Sequence, residues 1–371
     1  DGRDGPFLFM NYGDNPDEAV VSMGDSSTIY FENAGMYNNS TQTAEINTNG
    51  EWHKDGTWYL HNDILIGQGG SNSDFTTEKT DSIKPITRIA NTRKVGVMKY
   101  IDLNGMTVPA LGFGTAAMRG KACEKAVTYA LELGYRHIDT AAFYDNEEQI
   151  GRVLTASGIS RGNIFLTTKV WPSDLSADAF RASVDQSLER LQTDHVNLLL
   201  IHWPNQNIPL GETLEALAQA KEAGKTERVG VSNFPVALMT EAIDSHGADL
   251  FANQVEYHPF LSQRSALKFC HQHNMMLTAY CPLAMGRAAK DKTLTRIAKK
   301  YGKTPAQVTL RWLIDQHCVA AIPKASGKRH AKQNFDIFDF YLSAQDMAEI
   351  TALASGKRLV EISPAPKWDM D

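Results

Sequence analysis

Three titratable side chains each stand at the end of an apolar, strand-length run of the sequence: Asp139, Lys169 and His202. A tyrosine, Tyr144, follows five residues after Asp139. Carboxylate, ammonium, imidazole and phenol groups can all exchange protons, so together these four could carry out acid–base chemistry. A lysine at the end of an apolar strand is costly to bury unless an acid pairs with it, and we expect Asp139 to be that partner.

Each of the four residues also has an ordinary structural explanation. Asp139 and Lys169 could form an ion pair that only stabilises the fold. Tyr144 could be a loop tyrosine, and His202 could be a buried histidine with satisfied hydrogen bonds. Singly, the structural explanation is the better one each time. All four positions fall on one face of the predicted fold, however, and this coincidence favours a catalytic site.

The runs that carry these residues belong to a regular alternation of strands and helices that begins near residue 98. A hairpin is predicted over 100–108, with Asn104-Gly105 as its turn. Helices are predicted over 121–133, 177–191, 214–223, 235–245 and 306–316, the last with Thr304 as N-cap and Pro305 at its first position. Eight strands are predicted, over 111–115, 136–139, 164–169, 196–201, 229–232, 252–255, 277–279 and 319–322.

Eight strand–helix units predict an α/β fold of the (β/α)8 type, a TIM barrel, over residues 98–371. A doubly wound parallel sheet is the alternative, because it also alternates strands and helices. Residues 112–117 match a loose dinucleotide fingerprint, but loop residues separate this motif from the next helix. In a barrel the carboxyl ends of all strands converge on one mouth, so the placement of Asp139, Lys169 and His202 favours the barrel.

The four residues, in this order, resemble the catalytic tetrad of the aldo-keto reductases, and the resemblance covers residues 98–371. Blocks at 230–234, 253–259, 279–283 and 322–324 are also similar to the family. Blocks at 282–287, 304–312, 358–360 and 366–369 look most like the bacterial 2,5-diketo-D-gluconate reductases of the B type, which also reduce methylglyoxal-like carbonyls. The resemblance implies an NADPH-dependent reductase of small-molecule carbonyl compounds such as aldehydes, keto sugars and α-dicarbonyls.

The resemblance also implies a role for each residue of the tetrad. A nicotinamide would give hydride to the carbonyl carbon, and Tyr144 would give a proton to the oxygen. Lys169 is expected to lower the pKa of Tyr144 by favouring the phenolate, while Asp139 keeps Lys169 charged and oriented. His202 would hydrogen-bond the carbonyl oxygen and orient it.

Cofactor and substrate contacts are implied in the same way. Tyr280 would stack on the nicotinamide ring, and Ser232, Asn233 and Gln254 would hold its carboxamide. The other cofactor contacts would come from Gly114, Thr115, Asp139, Pro282, Leu283, Lys324, Ser326, Arg329 and Asn334. The substrate pocket would be lined by Phe143, Trp171, His202 and Trp203. Ala116, where several relatives have tryptophan, predicts a more open pocket, and no metal ion is expected.

The loop after the eighth strand bears on the choice of cofactor. In the family a lysine, a hydroxyl and an arginine of this loop meet the adenosine 2′-phosphate. Lys324, Ser326 and Arg329 supply these groups here, so NADPH is predicted over NADH. Two positions depart from the family pattern. Ala325 replaces the usual serine, and the arginine comes five rather than six residues after the lysine, which leaves His330 at its usual place.

Residues 1–97 differ in character from the rest of the chain. They hold 14 acidic and 7 basic side chains, whereas residues 98–371 hold 29 and 30. A strand is predicted over 27–31, and hairpin turns at Asn49-Gly50 and Asp55-Gly56. We predict a β-rich module over 1–78, consistent with a fusion partner, and a linker over 79–97. Trp52 and Trp58 either fill a small core, which is preferred, or stack on sugar rings.

The composition excludes several classes of protein. The chain is 42% hydrophobic and 22% charged with a net charge of −6, so nothing favours nucleic-acid binding. Its longest apolar stretch, 196–203, is too short to span a membrane. The first residues lack a signal-peptide pattern, and the four cysteines form no C-x-x-C pair. We therefore expect a cytoplasmic protein, and we expect it to be a monomer.

Two other functions stay open. A relative of this family could bind nucleotide without catalysis and report the redox state to a partner, although the complete tetrad favours catalysis. Alternatively, residues 1–97 could bind a glycan or a protein and carry the reductase as cargo.

Overall fold

The structure is a computed structural model with two compact units, Asp1–Thr92 and Arg93–Asp371. It describes residues 98–363, 365–369 and 371, and the backbone of five short strands that precede them. These strands are β1 (Asn11–Tyr12), β2 (Ala19–Val20), β3 (Ile29–Phe31), β4 (Gly50–Trp52) and β5 (Trp58–Leu60). β1 pairs with β2, and β3, β4 and β5 form a second antiparallel sheet in that order.

Most of what was predicted for the first 97 residues falls outside the described residues. Gly50 lies in β4 and pairs with Leu60, so it is not part of a turn. The turn at Asp55-Gly56, the side chains of Trp52 and Trp58 and the linker over 79–97 are not among the described features. The division into a module over 1–78 and a linker therefore stays a prediction.

The second unit opens with the predicted hairpin. Its strands are β6 (Tyr100–Leu103) and β7 (Met106–Pro109), which pair antiparallel. Asn104 and Gly105 connect them with φ angles of 49° and 75°, the left-handed values that a tight hairpin turn requires. Arg228 and Asn274, near the amino ends of two barrel strands, are hydrogen-bonded to Asn104. The hairpin therefore lies against the amino-terminal end of the barrel.

Eight parallel strands form the barrel and pair in sequence order. They are β8 (Phe113–Gly114), β9 (His137–Asp139), β10 (Phe165–Val170), β11 (Val196–Ile201), β12 (Thr226–Ser232), β13 (Ala252–Glu256), β14 (Met276–Tyr280) and β15 (Val319–Ala321). A parallel bridge between Leu111 and Ala321 joins the first strand to the last. Backbone hydrogen bonds of 2.8 Å on either side of this bridge close the sheet. The predicted (β/α)8 barrel is confirmed, and an open doubly wound sheet is excluded.

Gly114 is required at this closing seam. A Cβ at this position would lie 2.6 Å from the carbonyl oxygen of Ile322, which is closer than real Cβ contacts allow. Only a glycine lets the end of β8 approach the segment after β15 so closely.

Helices follow the strands, as a barrel requires. They are α1 (Gly120–Leu133), α2 (Glu147–Ala156), α3 (Ala177–Leu191), α4 (Leu210–Glu222), α5 (Val236–Thr240), α6 (Arg264–Gln272), α7 (Lys292–Lys300), α8 (Pro305–Asp315), α9 (Lys328–Phe335) and α10 (Ala344–Thr351). Thr304 caps α8 through a reciprocal pair of hydrogen bonds with Gln307, as its sequence predicts. The helix predicted over 235–245 is instead α5 followed by a π-helical turn, Glu241–Ser245.

The buried charged residues of the barrel strands, Asp139, Lys169 and Glu256, stand at or next to the carboxyl ends of their strands. Every residue of β10 and β11 is buried, which is expected of parallel strands covered on both faces. Charged groups at the ends of such strands must therefore find partners inside the protein. Among the described residues, no helix is both long and apolar enough to cross a membrane.

Candidate active site

The carboxyl ends of β9 and β10 hold a buried ion pair. Lys169 Nζ lies 2.6 Å from Asp139 Oδ1 and donates a second hydrogen bond of 2.7 Å to the carbonyl oxygen of Thr140. The two side chains are 0% and 2% exposed. Gln254 Nε2 donates to the other carboxylate oxygen of Asp139 at 2.7 Å. These hydrogen bonds offset the cost of removing both charges from water.

Tyr144 and His202 lie beside this pair. Tyr144 ends a single 3₁₀ turn that follows β9, and His202 follows the last residue of β11. Their rings meet edge to face with centroids 5.5 Å apart. Lys169 Nζ lies 5.2 Å from the centroid of the Tyr144 ring. The structure therefore brings together the four residues that the sequence singles out.

The pKa of Tyr144 is shifted in the direction opposite to the one expected from the sequence. Burial raises the pKa of Tyr144, and the negative charge of Asp139 raises it further. The expected lowering of this pKa by Lys169 is wrong for this structure. Lys169 Nζ is hydrogen-bonded to Asp139 and Thr140, and its charge does not outweigh the effects of burial and of Asp139 on the phenol.

His202 is held in its neutral form. Burial and the positive charge of Lys169 lower the pKa of His202 well below its ordinary value of 6.5. At neutral pH the imidazole therefore has one N–H donor and one acceptor nitrogen. Its Nδ1 atom is buried and has no hydrogen-bond partner in the described part of the chain.

The residues predicted to hold a carboxamide form one chain of hydrogen bonds that ends at the ion pair. Tyr280 donates from its hydroxyl to Asn233 Oδ1 at 2.7 Å, and Asn233 Nδ2 donates to Ser232 Oγ at 3.0 Å. Ser232 Oγ donates to the carbonyl oxygen of Gln254 at 2.8 Å, and the Gln254 side chain contacts Asp139. A ligand that contacts these hydrogen-bonded side chains would therefore be held at a defined position relative to the Lys169–Asp139 ion pair.

Two further predicted cofactor segments flank this chain. Thr115, next to Gly114, donates from both N and Oγ1 to the carbonyl oxygen of Asp139, at 3.1 and 2.9 Å. Pro282 and Leu283 lie in the loop after β14, where Cys281, Ala284 and Met285 all have left-handed φ angles. Left-handed backbone at residues other than glycine is concentrated at ligand sites in proteins.

The predicted phosphate contacts gather at the amino end of α9. Lys324, Ser326 and Arg329 are exposed there, while Asn334, further along the helix, is buried. No side chain caps α9 at Gly327, so the first N–H groups of the helix can bind an anion. Arg329 and Lys324 form no ion pair with any other described residue, as the salt bridges show.

The aromatic side chains predicted to line the substrate pocket differ in their exposure to solvent. Phe143 is 56% exposed and stacks on Trp171 with ring centroids 3.7 Å apart. Trp171 meets the His202 ring at 5.0 Å. Trp203, in contrast, is buried, and Trp368 from the C-terminal segment packs edge to face on it at 6.0 Å.

A groove of about 710 Å³ is lined by Trp171 and by no residue of the tetrad. Its walls are the loop 204–210, the start of α5 and the C-terminal residues 362–363 and 366–367. Of the four predicted pocket residues, only Trp171 lines it. This volume is in the range that holds a small organic ligand.

A buried acid whose role no sequence motif indicates, Glu256, holds the C-terminal segment. Glu256 accepts hydrogen bonds from the backbone N–H groups of Leu359 and Val360, at 2.8 and 2.9 Å, and from His258 at 3.0 Å. Arg358 stacks on the Trp368 ring at 3.5 Å. The only available signal was the presence of Glu256 in the block 253–259, which does not reveal its partners.

Comparison with known proteins decides the family. The sequence profile of the aldo/keto reductase family matches residues 110–355. The chain belongs to the aldo-keto reductase family. Within the described residues, no cluster of three or more His, Cys, Asp or Glu side chains could hold a metal ion.

Similar proteins cover about seven tenths of the chain. Methylglyoxal reductase DkgB of Escherichia coli O157:H7 is 41% identical over 270 residues, which are 71% of this chain and 100% of that protein. The crystal structure of a candidate 2,5-diketo-D-gluconic acid reductase B is 44% identical with a TM-score of 0.72, covering 74% of this chain and 98% of that one. An aldo-keto reductase, AKR2E5, solved in complex with NADPH, is 33% identical with a TM-score of 0.68, covering 72% and 90%.

The predicted resemblance is confirmed by these matches. As a member of this family, the protein is an oxidoreductase built on a TIM barrel, and it binds a nicotinamide cofactor.

Proposed function

We propose that this enzyme reduces small α-dicarbonyl, keto-sugar or aldehyde substrates with NADPH, and that Tyr144 donates the proton. Methylglyoxal and 2,5-diketo-D-gluconate are the reference substrates, because similar proteins are named for them. The observation that carries the proposal is the 2.6 Å ion pair of Lys169 and Asp139, buried against Tyr144 at the carboxyl end of the barrel. A nucleotide-binding protein without catalysis would have no need to bury this pair beside a phenol.

The residues present fit NADPH. The uncapped amino end of α9, with Lys324, Ser326 and Arg329 around it, has the positive charge and N–H donors that a phosphate requires. Tyr280, Ser232 and the other members of the hydrogen-bonded chain supply a ring and polar groups for the nicotinamide end. When bound, the cofactor supplies a hydride to the carbonyl carbon of the substrate.

The side chains of the tetrad then account for the proton. The pKa of Tyr144 is not lowered towards neutrality, so its hydroxyl is protonated at neutral pH and a proton is available when negative charge develops on the carbonyl oxygen. Neutral His202 can direct an N–H donor at the same oxygen and orient it. Lys169 stabilises the phenolate that remains after transfer, since its ammonium group lies near the ring.

The walls of the site favour polar or bulky carbonyl compounds. The exposed Phe143 ring, stacked on Trp171, offers an aromatic face at the mouth. Ala116 leaves room beside Thr115 where a tryptophan would fill it. The groove lined in part by Trp171 can take the part of a substrate that extends away from its carbonyl.

We further propose that the enzyme acts as a monomer in the cytoplasm. One chain provides all four residues of the tetrad and every proposed cofactor contact. All four cysteines are free thiols, which is the usual state in a reducing compartment.

A panel of carbonyl substrates tests this function. Methylglyoxal, 2,5-diketo-D-gluconate and an aromatic aldehyde are each incubated with NADPH, and its consumption is followed by absorbance. We expect turnover of at least one of the first two, with a higher kcat/KM than for the aromatic aldehyde. If the protein binds NADPH but consumes it with none of the three, the proposal is wrong.

A further inference from the structure

Asn146 stands at the N-cap position of α2 but does not cap it. Asparagine is among the best N-cap residues, so this is an unusual use of it. Its side chain is 1% exposed and turns into the protein instead. There Oδ1 accepts a hydrogen bond of 2.6 Å from Thr140 Oγ1, and Nδ2 donates to the carbonyl oxygens of Thr115 and Met118 at 2.9 and 3.0 Å. Both of its N–H groups are therefore used.

Two of the three partners of Asn146 adjoin the ion pair. Thr140 follows Asp139, and its carbonyl oxygen accepts one of the hydrogen bonds of Lys169 Nζ. Thr115 in turn donates twice to the carbonyl oxygen of Asp139. Asn146 thus joins the loop after β8, the end of β9 and the start of α2 by three hydrogen bonds.

Tyr144 lies two residues before Asn146 and depends on the same segment for its position. In the part of the chain that the structure describes, no hydrogen bond holds the Tyr144 hydroxyl, so the direction of its ring is set by the backbone and by packing against His202. That backbone is one 3₁₀ turn, ended by Asp145 with a φ of 54°. The next residue after Asn146, Glu147, is fixed by Thr168 Oγ1 at 2.5 Å and by Arg190 Nε at 2.9 Å.

We propose that Asn146 is a positioning residue for Tyr144. It acts by anchoring the Tyr144 turn to the segments that hold Asp139 and Lys169, and it does not touch the reacting atoms. The proposal rests on the role of Tyr144 as proton donor. A displacement of about 1 Å in a reacting group can lower a rate by about a hundredfold, so loss of this anchor is expected to act on kcat.

Asn146→Asp keeps the shape of the side chain but replaces the two N–H donors with an oxygen that faces two carbonyl oxygens. We expect kcat to fall by at least tenfold, while the substrate KM and the Kd of NADPH change by less than threefold. The matched control is Asp145→Asn, the same chemical change in reverse at the adjacent exposed residue. It should leave kcat unchanged. Thr140→Val removes one of the three hydrogen bonds and is the second test variant if Asn146→Asp does not fold. It should also lower kcat, by a smaller factor than Asn146→Asp.

The same substitution in the Tyr144→Phe background separates positioning from a general structural effect. If Asn146 acts through Tyr144, Asn146→Asp should lower kcat by less than twofold once the hydroxyl is absent. An undiminished effect in that background would overturn the proposal, as would a folded Asn146→Asp or Thr140→Val enzyme with normal kcat. If Tyr144→Phe itself keeps normal kcat, the proposed proton donor is wrong instead.

Discussion

Two sets of cations serve the proposed site, and they differ in how far they are removed from water. Lys169 lies inside the barrel, paired with Asp139, and neither side chain has appreciable exposure. Lys324 and Arg329 lie on the surface at the start of α9. The electrostatic interaction of a buried charge is strong and is little affected by salt, whereas that of an exposed charge is screened. The buried pair should therefore govern the chemical step, and the surface cations should govern which cofactor binds.

The largest expected effect comes from breaking the buried pair. Lys169→Met removes the ammonium group and leaves Asp139 as an unpaired buried carboxylate. We expect kcat to fall by at least a thousandfold, and the free energy of unfolding to decrease by about 3–5 kcal/mol. The measurements are steady-state kinetics with NADPH and urea unfolding.

The control for this substitution is a surface pair of the same length. Lys221 and Asp249 are also 2.6 Å apart, but their side chains are 32% and 81% exposed. Lys221→Met should cost less than about 1 kcal/mol and leave kcat unchanged. Similar losses for the two variants would show that burial does not distinguish the two pairs.

A smaller effect concerns acid stability. Burial and the charge of Lys169 lower the pKa of His202, so the folded protein keeps this imidazole neutral. As the pH falls below 6.5, the unfolded chain takes up a proton that the folded protein excludes, and stability present above that pH is lost. We expect His202 to contribute a loss of about 1.4 kcal/mol per pH unit in this range.

Urea unfolding of the parent and of His202→Gln between pH 7.5 and 5.0 measures this contribution. His137 is also buried with a lowered pKa, so the parent and the variant both keep its contribution. The stability of His202→Gln should therefore fall less steeply below pH 6.5. Parallel curves for the two proteins would contradict a neutral His202.

The smallest effects should come from the surface cations. Lys324→Ala and Arg329→Ala should each weaken NADPH binding by about 1–2 kcal/mol, through loss of a charge-assisted contact with the 2′-phosphate, and should leave NADH binding unchanged. Added salt should also reduce the preference for NADPH. Lys328→Ala is the matched control, because Lys328 Nζ lies 3.3 Å from Glu132 and is directed towards α1.

Quenching of tryptophan fluorescence by each cofactor gives the Kd values. Equal affinities of the parent for NADPH and NADH would remove the phosphate-binding assignment. A preference that survives both substitutions would place the phosphate elsewhere.

The difference between local patterns and long-range contacts explains how much of the fold and of the site the sequence can predict. Apolar runs and helical periods depend only on neighbouring residues, so they predict all eight barrel strands. Asp139, Lys169 and His202 are found in the same way, as polar residues where apolar runs end. The direction of a side chain depends on distant partners instead. Asparagine before a helix is typical of an ordinary N-cap. Only the contacts of Asn146 with Thr115 and Met118, about thirty residues earlier, show that its side chain has a different role. The raised pKa of Tyr144 likewise follows from burial, which no local pattern reveals.

The sequence does not predict the change from α5 to a π-helical turn, for a related reason. The residues 235–245 have a helical period throughout, and the sequence alone does not show where the hydrogen-bond pattern shifts. α4 packs closely on the end of this segment, since a Cβ on Gly211 would lie 2.8 Å from the His246 ring. Such contacts between elements decide local geometry that propensity leaves open.

The central claim is that Tyr144 gives the proton, and Tyr144→Phe tests it most directly. This variant removes one hydroxyl and keeps the ring that packs against His202. We predict that kcat falls by at least a thousandfold on every good substrate while the Kd of NADPH stays within twofold of the parent. Tyr100→Phe, on the distant hairpin, should change neither value. A Tyr144→Phe enzyme with near-normal kcat would contradict the account.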